Sequence, residues 1–225
     1  MNKEMVVVAI DGPSASGKST VSKEVALKLD FVYVDSGSLY RGITWKCIRE
    51  RVDVRNPEAV LEMIGRVVFD FFVDNRIVRF TMDGEDPGQQ IRSEPVRESV
   101  SDIAAIPELR LFINDKLRSM MQFGNLVMEG RDIGSVVFPD SPFKFYLDAD
   151  PEERARRRHA ELVKMEGQGD VEEVRNSLMR RDQKDTTRKT APLQIPLGAK
   201  VINSTSLSIE EVTDIIAKDV RAAGY

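Results

Sequence analysis

From Met5 the chain runs Val-Val-Val-Ala-Ile10, a short β-branched stretch with no polar alternation, which predicts a central parallel strand covered by helices on both faces. Asp11 to Gly17 is a run of mostly small residues. Lys18 to Leu29 then sets Val21, Val25, Ala26 and Leu29 at helical spacing, so the opening unit reads strand, loop, helix. A second apolar run, Phe31 to Val34, precedes Ser36, which is placed to cap a helix carrying Leu39, Tyr40, Ile43, Trp45 and Ile48. This alternation predicts an α/β fold on a parallel sheet.

Between Val67 and Met82 the period changes to two. Val67 to Val73 and Ile77 to Met82 flank Asp74-Asn75-Arg76, predicting an antiparallel hairpin that interrupts the α/β pattern. Pro95 to Ala105 and Pro107 to Met121 each open on proline and keep helical spacing. Leu126 to Met128 and Phe143 to Leu147 read as further strands, each followed by an acidic or glycine-containing turn, where open parallel sheets bind their ligands. Pro151 to Glu166 and Asp170 to Asp185 read as charged helices separated by Gly167-Gln-Gly169, a hinged arm. Lys200 to Asn203 and Ser208 to Ala223 close the pattern as strand and helix. No fixed-period repeat or sustained heptad is present, which excludes a solenoid or a rod.

Composition narrows the class further. At 225 residues the chain suits one substantial α/β core with small insertions. A formal charge of −4 argues against duplex nucleic acid as the main partner, because phosphate-tracking domains are usually basic. Cys47 is the single cysteine, so no intramolecular disulfide and no cysteine metal cluster can form, and a buried, inert thiol is expected. Met1 to Val8 lacks the apolar length of a secretory signal and no later run could span a bilayer, so the expected location is the cytoplasm.

Gly12-Pro-Ser-Ala-Ser-Gly17-Lys18-Ser19 satisfies the phosphate-loop pattern G-x-x-x-x-G-K-[ST] in the context it requires, after a strand and before a helix. The nucleotide loop is therefore read as Gly12, Pro13, Ser14, Ala15, Ser16, Gly17, Lys18, Ser19 and Thr20. Glycine permits the tight path that turns amides onto phosphate oxygens, and the helix N-terminus favours negative charge. Lys18 is placed to reach the β and γ phosphates, Ser19 to ligate nucleotide-bound Mg2+, and Thr20 offers a second hydroxyl. A GTP-dependent switch is disfavoured by the lack of Asn-Lys-x-Asp and Asp-x-x-Gly sequences. A nucleic-acid motor is disfavoured because Val127-Met-Glu129 leads into Gly130-Arg131-Asp132 and not into an acidic pair. Arg41, Arg131 and Arg188 lie near turns or helix ends and Arg154 to Arg158 crowds another helix, which points to a small phosphorylated acceptor. On these residues alone, a kinase acting on UMP, AMP or a non-nucleotide acceptor stays open, as does a regulatory NTP binder. His159, the one histidine, reads as a surface residue and not as a catalyst.

Asp11 to Thr20, Asp35-Ser-Gly-Ser-Leu-Tyr-Arg41 and Glu129-Gly-Arg-Asp-Ile-Gly-Ser-Val-Val-Phe-Pro-Asp140, in that order, resemble the longer bacterial members of the cytidylate kinase family. The likeness continues through Leu147 to Arg158, Arg181 to Arg188 and Ser204 to Val212, nearly the whole chain. It implies a single kinase domain over 1–225 with a parallel core. A monophosphate-binding region with an antiparallel insertion would fall in 36–105, and a helical lid in 151–185. It implies transfer from ATP with Mg2+ to CMP and dCMP, in a monomer that uses neither nucleic acid nor membrane. By resemblance, Ser36, Ser101, Arg110 and Asp132 would surround the base, with Asp132 accepting from the cytosine amino group and Arg110 donating to cytosine acceptors. Arg41, Arg131 and Arg188 would hold the acceptor phosphate, and Arg181 and Asp185 would approach the ribose. From Arg154, Arg157 and Arg158 would come the lid contacts to ATP, so that Lys18, Arg131, Arg157 and Arg188 form the catalytic set. Uracil presents an oxygen where cytosine presents an amine and would meet Asp132 poorly, so CMP is expected to outcompete UMP. Ser19, where many members carry glycine, and Glu129, where aspartate is common, depart from the pattern.

Overall fold

A computed structural model describes residues 5–167 and 170–225. Met1 to Glu4 and Gln168-Gly169 lie outside the described residues, so the reading of Met1 to Val8 is covered only from Met5 and the hinge at Gly167 to Gly169 only at Gly167. The chain order is β1 (Val7–Asp11), α1 (Lys18–Leu29), β2 (Val32–Asp35), α2 (Ser36–Glu50), α3 (Pro57–Ile64), β3 (Phe69–Asp74) and β4 (Ile77–Met82). Then follow α4 (Glu94–Ile103), α5 (Pro107–Ser119), β5 (Leu126–Gly130), β6 (Phe143–Asp148), α6 (Pro151–Glu166), α7 (Val171–Thr187), β7 (Lys200–Asn203) and α8 (Ile209–Ala222). Short 3-10 turns sit at Gly88–Arg92 and Met120–Phe123, and a turn of π-helix at Ile133–Val137.

Among the described residues seven strands form one sheet in the order β3-β4-β2-β5-β1-β6-β7, parallel except for the β3–β4 pair. The apolar run Val7 to Ile10 of β1 is explained by the strand's central position. Val7 and Ala9 join the core on one face, with Ile43, Met128 and Leu126, whereas Val8 and Ile10 join the other, with Val21, Val25, Val127 and Ile216. Each fully buried Val, Leu or Ile contributes about 1.5–3 kcal/mol, so both faces are needed to hold the strand.

The expected antiparallel hairpin is present, β3 pairing with β4, and it extends the parallel sheet at one edge. β4 lies beside β2, meeting it at Tyr33 and Ile77, and the Tyr33 amide donates to the Arg76 carbonyl at 2.8 Å. Val78, Phe80 and Met82 bury one face of β4 in the core, leaving β3 as the sheet edge. Ser36 is not the cap of α2. Asp35 holds that position, and its carboxylate accepts from the Ser38 amide at 3.1 Å while Ser36 is the first helical residue. α3 was not foreseen, although Asn56 caps it through the Ala59 amide and Pro57 opens it. Cys47 lies in the core, where burial pushes its thiol up to about 12. Among the described residues no helix is long and apolar enough to cross a membrane.

Candidate active site

β5 sits between β1 and β2, so the chain after each of these strands emerges at the same carboxyl edge, where open α/β sheets bind ligands. The register sets Ile10 and Asp35 on either side of Glu129, and Asp11 beside Gly130. Buried Asp11 ties two of these loops together, accepting from the Ile133 amide at 2.8 Å and the Gly134 amide at 2.7 Å. Burial pushes its carboxyl up to about 6 despite those hydrogen bonds.

The loop after β1 has the geometry the phosphate pattern needs. A Cβ on Gly12 would fall 2.1 Å from the Leu147 carbonyl oxygen, so only glycine lets the loop pass this close to β6. Gly17, at φ 90°, begins α1 in the left-handed region and no side chain caps the helix, leaving its first amides open to an anion. Lys18 Nζ folds back to donate to the Pro13 carbonyl at 2.5 Å and the Ser16 hydroxyl at 3.3 Å. Ser14, Ala15, Gly17, Lys18, Ser19 and Thr20 line a cavity of about 530 Å³, while Gly12, Pro13 and Ser16 lie outside its lining. The buried Ser16 is braced by the Ser204 hydroxyl, which donates to its carbonyl at 3.0 Å.

Burial, reinforced by Arg131, holds the Lys18 ammonium down at about 7 against the attraction of Glu129 and Asp11. Bound phosphates favour the protonated form and raise that value, so binding takes up a proton wherever the free lysine is neutral. The affinity for nucleotide phosphates is therefore expected to be flat below pH 7 and to weaken by up to about tenfold per pH unit above it. Calorimetry across pH 6 to 9, in buffers of different ionisation heat, reads both the slope and the proton; a constant affinity with no proton uptake contradicts this.

Ten lysine and arginine side chains face five carboxylates around the cavity, in a chain whose net charge is −4, so positive potential is concentrated here. Arg110, only 2% exposed, donates to Asp132 at 2.5 Å and to the Ala104 carbonyl at 3.1 Å, with its guanidinium 5.3 Å from the Tyr40 ring centre. Arg188 approaches Asp132 at 3.7 Å and Asp185 at 3.6 Å. Arg131 pairs not with its neighbour Asp132 but with Asp185, at 2.9 Å. Arg41 pairs with Asp35 at 2.6 Å. Burial opposes ionisation of Asp35, but Arg41 and Arg92 outweigh it and keep the carboxyl below the usual range. Burial and the neighbouring Arg131 press Arg181 down to about 10. Arg41 Nε, Arg110 Nε and one terminal nitrogen of Arg188 are buried without hydrogen-bond partners. Ser36 and Ser101 line the same cavity, and the Ser36 hydroxyl donates to the Glu129 carbonyl at 2.7 Å.

The three arginines of α6 separate. Arg154 is buried against Asp182 at 2.5 Å and the carbonyls of Ser14 and Ala149, and does not line the cavity. Arg157 lines it near Gly17, held by Glu153 at 2.8 Å and the Ser204 carbonyl at 2.7 Å. Arg158 lines it while paired with Glu161 at 2.6 Å. His159 is half-buried and outside the lining.

Sequence reasoning missed Arg92, Arg97 and Tyr40 as cavity residues and Tyr33 as a support. The Tyr33 hydroxyl donates to Glu129 at 2.5 Å, and burial, with Asp35 nearby, raises the Glu129 carboxyl above the usual range. No motif marks Arg92, which ends the 3-10 turn after the hairpin; Tyr40, one residue before Arg41, had a positional signal.

A strand, a glycine-bent loop, a lysine at a helix start and a cationic cavity at the sheet's carboxyl edge define a P-loop phosphotransferase. The family model for cytidylate kinase matches residues 8–222, and the chain belongs to that family. A cytidylate kinase of Caldanaerobacter subterraneus subsp. tengcongensis is 43% identical over 96% of this chain and 95% of its own length. One from Clostridioides difficile is 39% identical over 96% and 98%, respectively. A crystal structure of an uncharacterised protein from Eubacterium ventriosum shares the fold, with a TM-score of 0.53 at 14% identity over 97% of this chain and 99% of that one. The chain is thus a nucleoside monophosphate kinase.

Proposed function

We propose that the protein transfers the γ-phosphoryl group of ATP directly to CMP and dCMP, serving pyrimidine nucleotide metabolism. What carries the reading is one cavity that holds both the phosphate loop, with Lys18, and the buried Arg110–Asp132 pair. A base that offers an amine donor beside ring acceptors matches a carboxylate beside a guanidinium. The open amides of α1 and Lys18 suit the donor phosphates, and Arg41, Arg131 and Arg188 suit the acceptor phosphate. Arg181 and Asp185 face the ribose, and Ser36 and Ser101 complete the base pocket. Arg157 and Arg158 lie where they can close over the donor and exclude water.

Ser19, at the exposed start of α1 and on the cavity wall, fits an Mg2+ carried by the nucleotide, with Glu129 and Asp35 behind it. That ion would offset the charge on the phosphate oxygens. The acceptor is already an anion, so no general base is needed, and the protein's part is alignment and charge compensation. Residues 36–105 serve as the monophosphate-binding region and 151–185 as the lid of one kinase domain, acting as a cytoplasmic monomer without nucleic acid or membrane.

Mixing enzyme, MgATP and CMP is expected to give ADP and CDP in equal amounts, with no labelled protein when the γ-phosphate carries the label. ADP without CDP, or a phosphorylated protein on the route, contradicts the proposal.

A further inference from the structure

Resting on the acceptor assignments just made, we propose that Lys184 and Asp102 form a positioning pair that fixes the ribose and base contacts relative to each other. Lys184 Nζ donates to Asp102 Oδ1 at 2.7 Å, joining α7 to α4. Each partner lies one residue from a proposed substrate contact. Lys184 precedes Asp185, and Asp102 follows Ser101. These contacts sit on different elements that the chain joins only through a long path, so their spacing has to be set by tertiary links.

A second cavity, of about 240 Å³, opens beside the pair, with Lys184 and Asp102 in its lining. It shares Ser101, Asp185 and Arg188 with the main cavity, so residues assigned to the acceptor form the wall between the two. Asp185 is already held from the main cavity by Arg131 at 2.9 Å. Lys184 adds a restraint towards α4, which the Arg131 contact to the loop after β5 cannot supply. Asp102 meets a second cation more distantly, with Arg55 Nε at 4.0 Å.

Lys184 and Asp102 are 55% and 30% exposed at their side chains, so the pair is weak and screened by salt. Its consequence comes through placement: a small displacement of α7 against α4 moves Asp185 and Ser101 apart. Neither residue touches the reacting atoms. The pair should therefore act on acceptor binding and leave the chemical step alone.

Lys184→Ala and Asp102→Ala are each expected to raise KM for CMP about two- to fivefold, the scale of an exposed ion pair, with kcat and KM for ATP unchanged. Added NaCl should raise the wild-type KM for CMP more than that of either variant. The double variant Lys184→Asp with Asp102→Lys should recover most of the wild-type KM. Amide exchange over 94–103 and 171–187, measured without substrate, should quicken in the single variants and return in the double one. Single variants with wild-type KM and exchange, or a reversed pair no better than either, overturn the proposal. A wild type inert towards CMP overturns the proposed function instead, and the exchange comparison then decides the pair by itself.

Discussion

Lys18→Ala is expected to lower turnover about a hundred- to a thousandfold while leaving the protein folded, the scale on which enzymes lose a preorganised charged donor. The ammonium lies folded over the loop on the Pro13 carbonyl, beside the open amides of α1. Desolvation and the neighbouring Arg131 hold it at about 7, against 10.5 for an ordinary lysine, so the buried charge is unfavourable where it lies. For a base held below its ordinary value, this cost to stability is full below pH 7 and fades as pH rises towards 10.5. Removing it at neutral pH should therefore hold or raise the melting temperature as activity collapses. Turnover and melting measured on one preparation check this; near-wild-type turnover would remove Lys18 from the chemistry.

Asp132→Asn is expected to affect both stability and selectivity. Asp132 answers Arg110 at 2.5 Å and Arg188 at 3.7 Å, and all three side chains are less than a tenth exposed. Removing the charge leaves two guanidinium groups facing a neutral amide, and breaking a buried pair in this way costs about 3–5 kcal/mol. At about 2–4 °C per kcal/mol for a chain of this size, the loss should be plain in a thermal melt. Measured well below that melt, kcat/KM for CMP should fall about a hundred- to a thousandfold, and for UMP by much less, since an amide can donate where the carboxylate could only accept. An equal loss for both acceptors would show that Asp132 only holds the arginines.

Local patterns made the first unit legible. β1, the loop and α1 follow from an apolar run, a glycine-rich turn and a helical face within one stretch of chain. The hairpin strands were equally local, but their union with β2 was not, because it rests on pairing between Tyr33 and Ile77 and on the burial of Phe80 and Met82. In the site, motifs named Arg131, Asp132 and Asp185 but could not say who pairs with whom. Arg131 reaches across 54 positions to Asp185, leaving Asp132 to Arg110 and Arg188. Arg154 looked like Arg157 and Arg158 on the charged face of α6; burial against Asp182 sets it apart. Such choices depend on how helices far apart in sequence pack.

Acceptor selectivity tests the assignment of Asp132 and Arg110 most directly. Steady-state kcat/KM with MgATP, measured for CMP, dCMP, UMP, AMP and GMP on one preparation, should favour the two cytosine nucleotides over UMP by about a hundredfold or more, with little turnover of either purine. UMP or AMP matching CMP would contradict the assignment of Asp132 and Arg110 to the base, and ADP formation indifferent to any acceptor would contradict the proposed transfer itself.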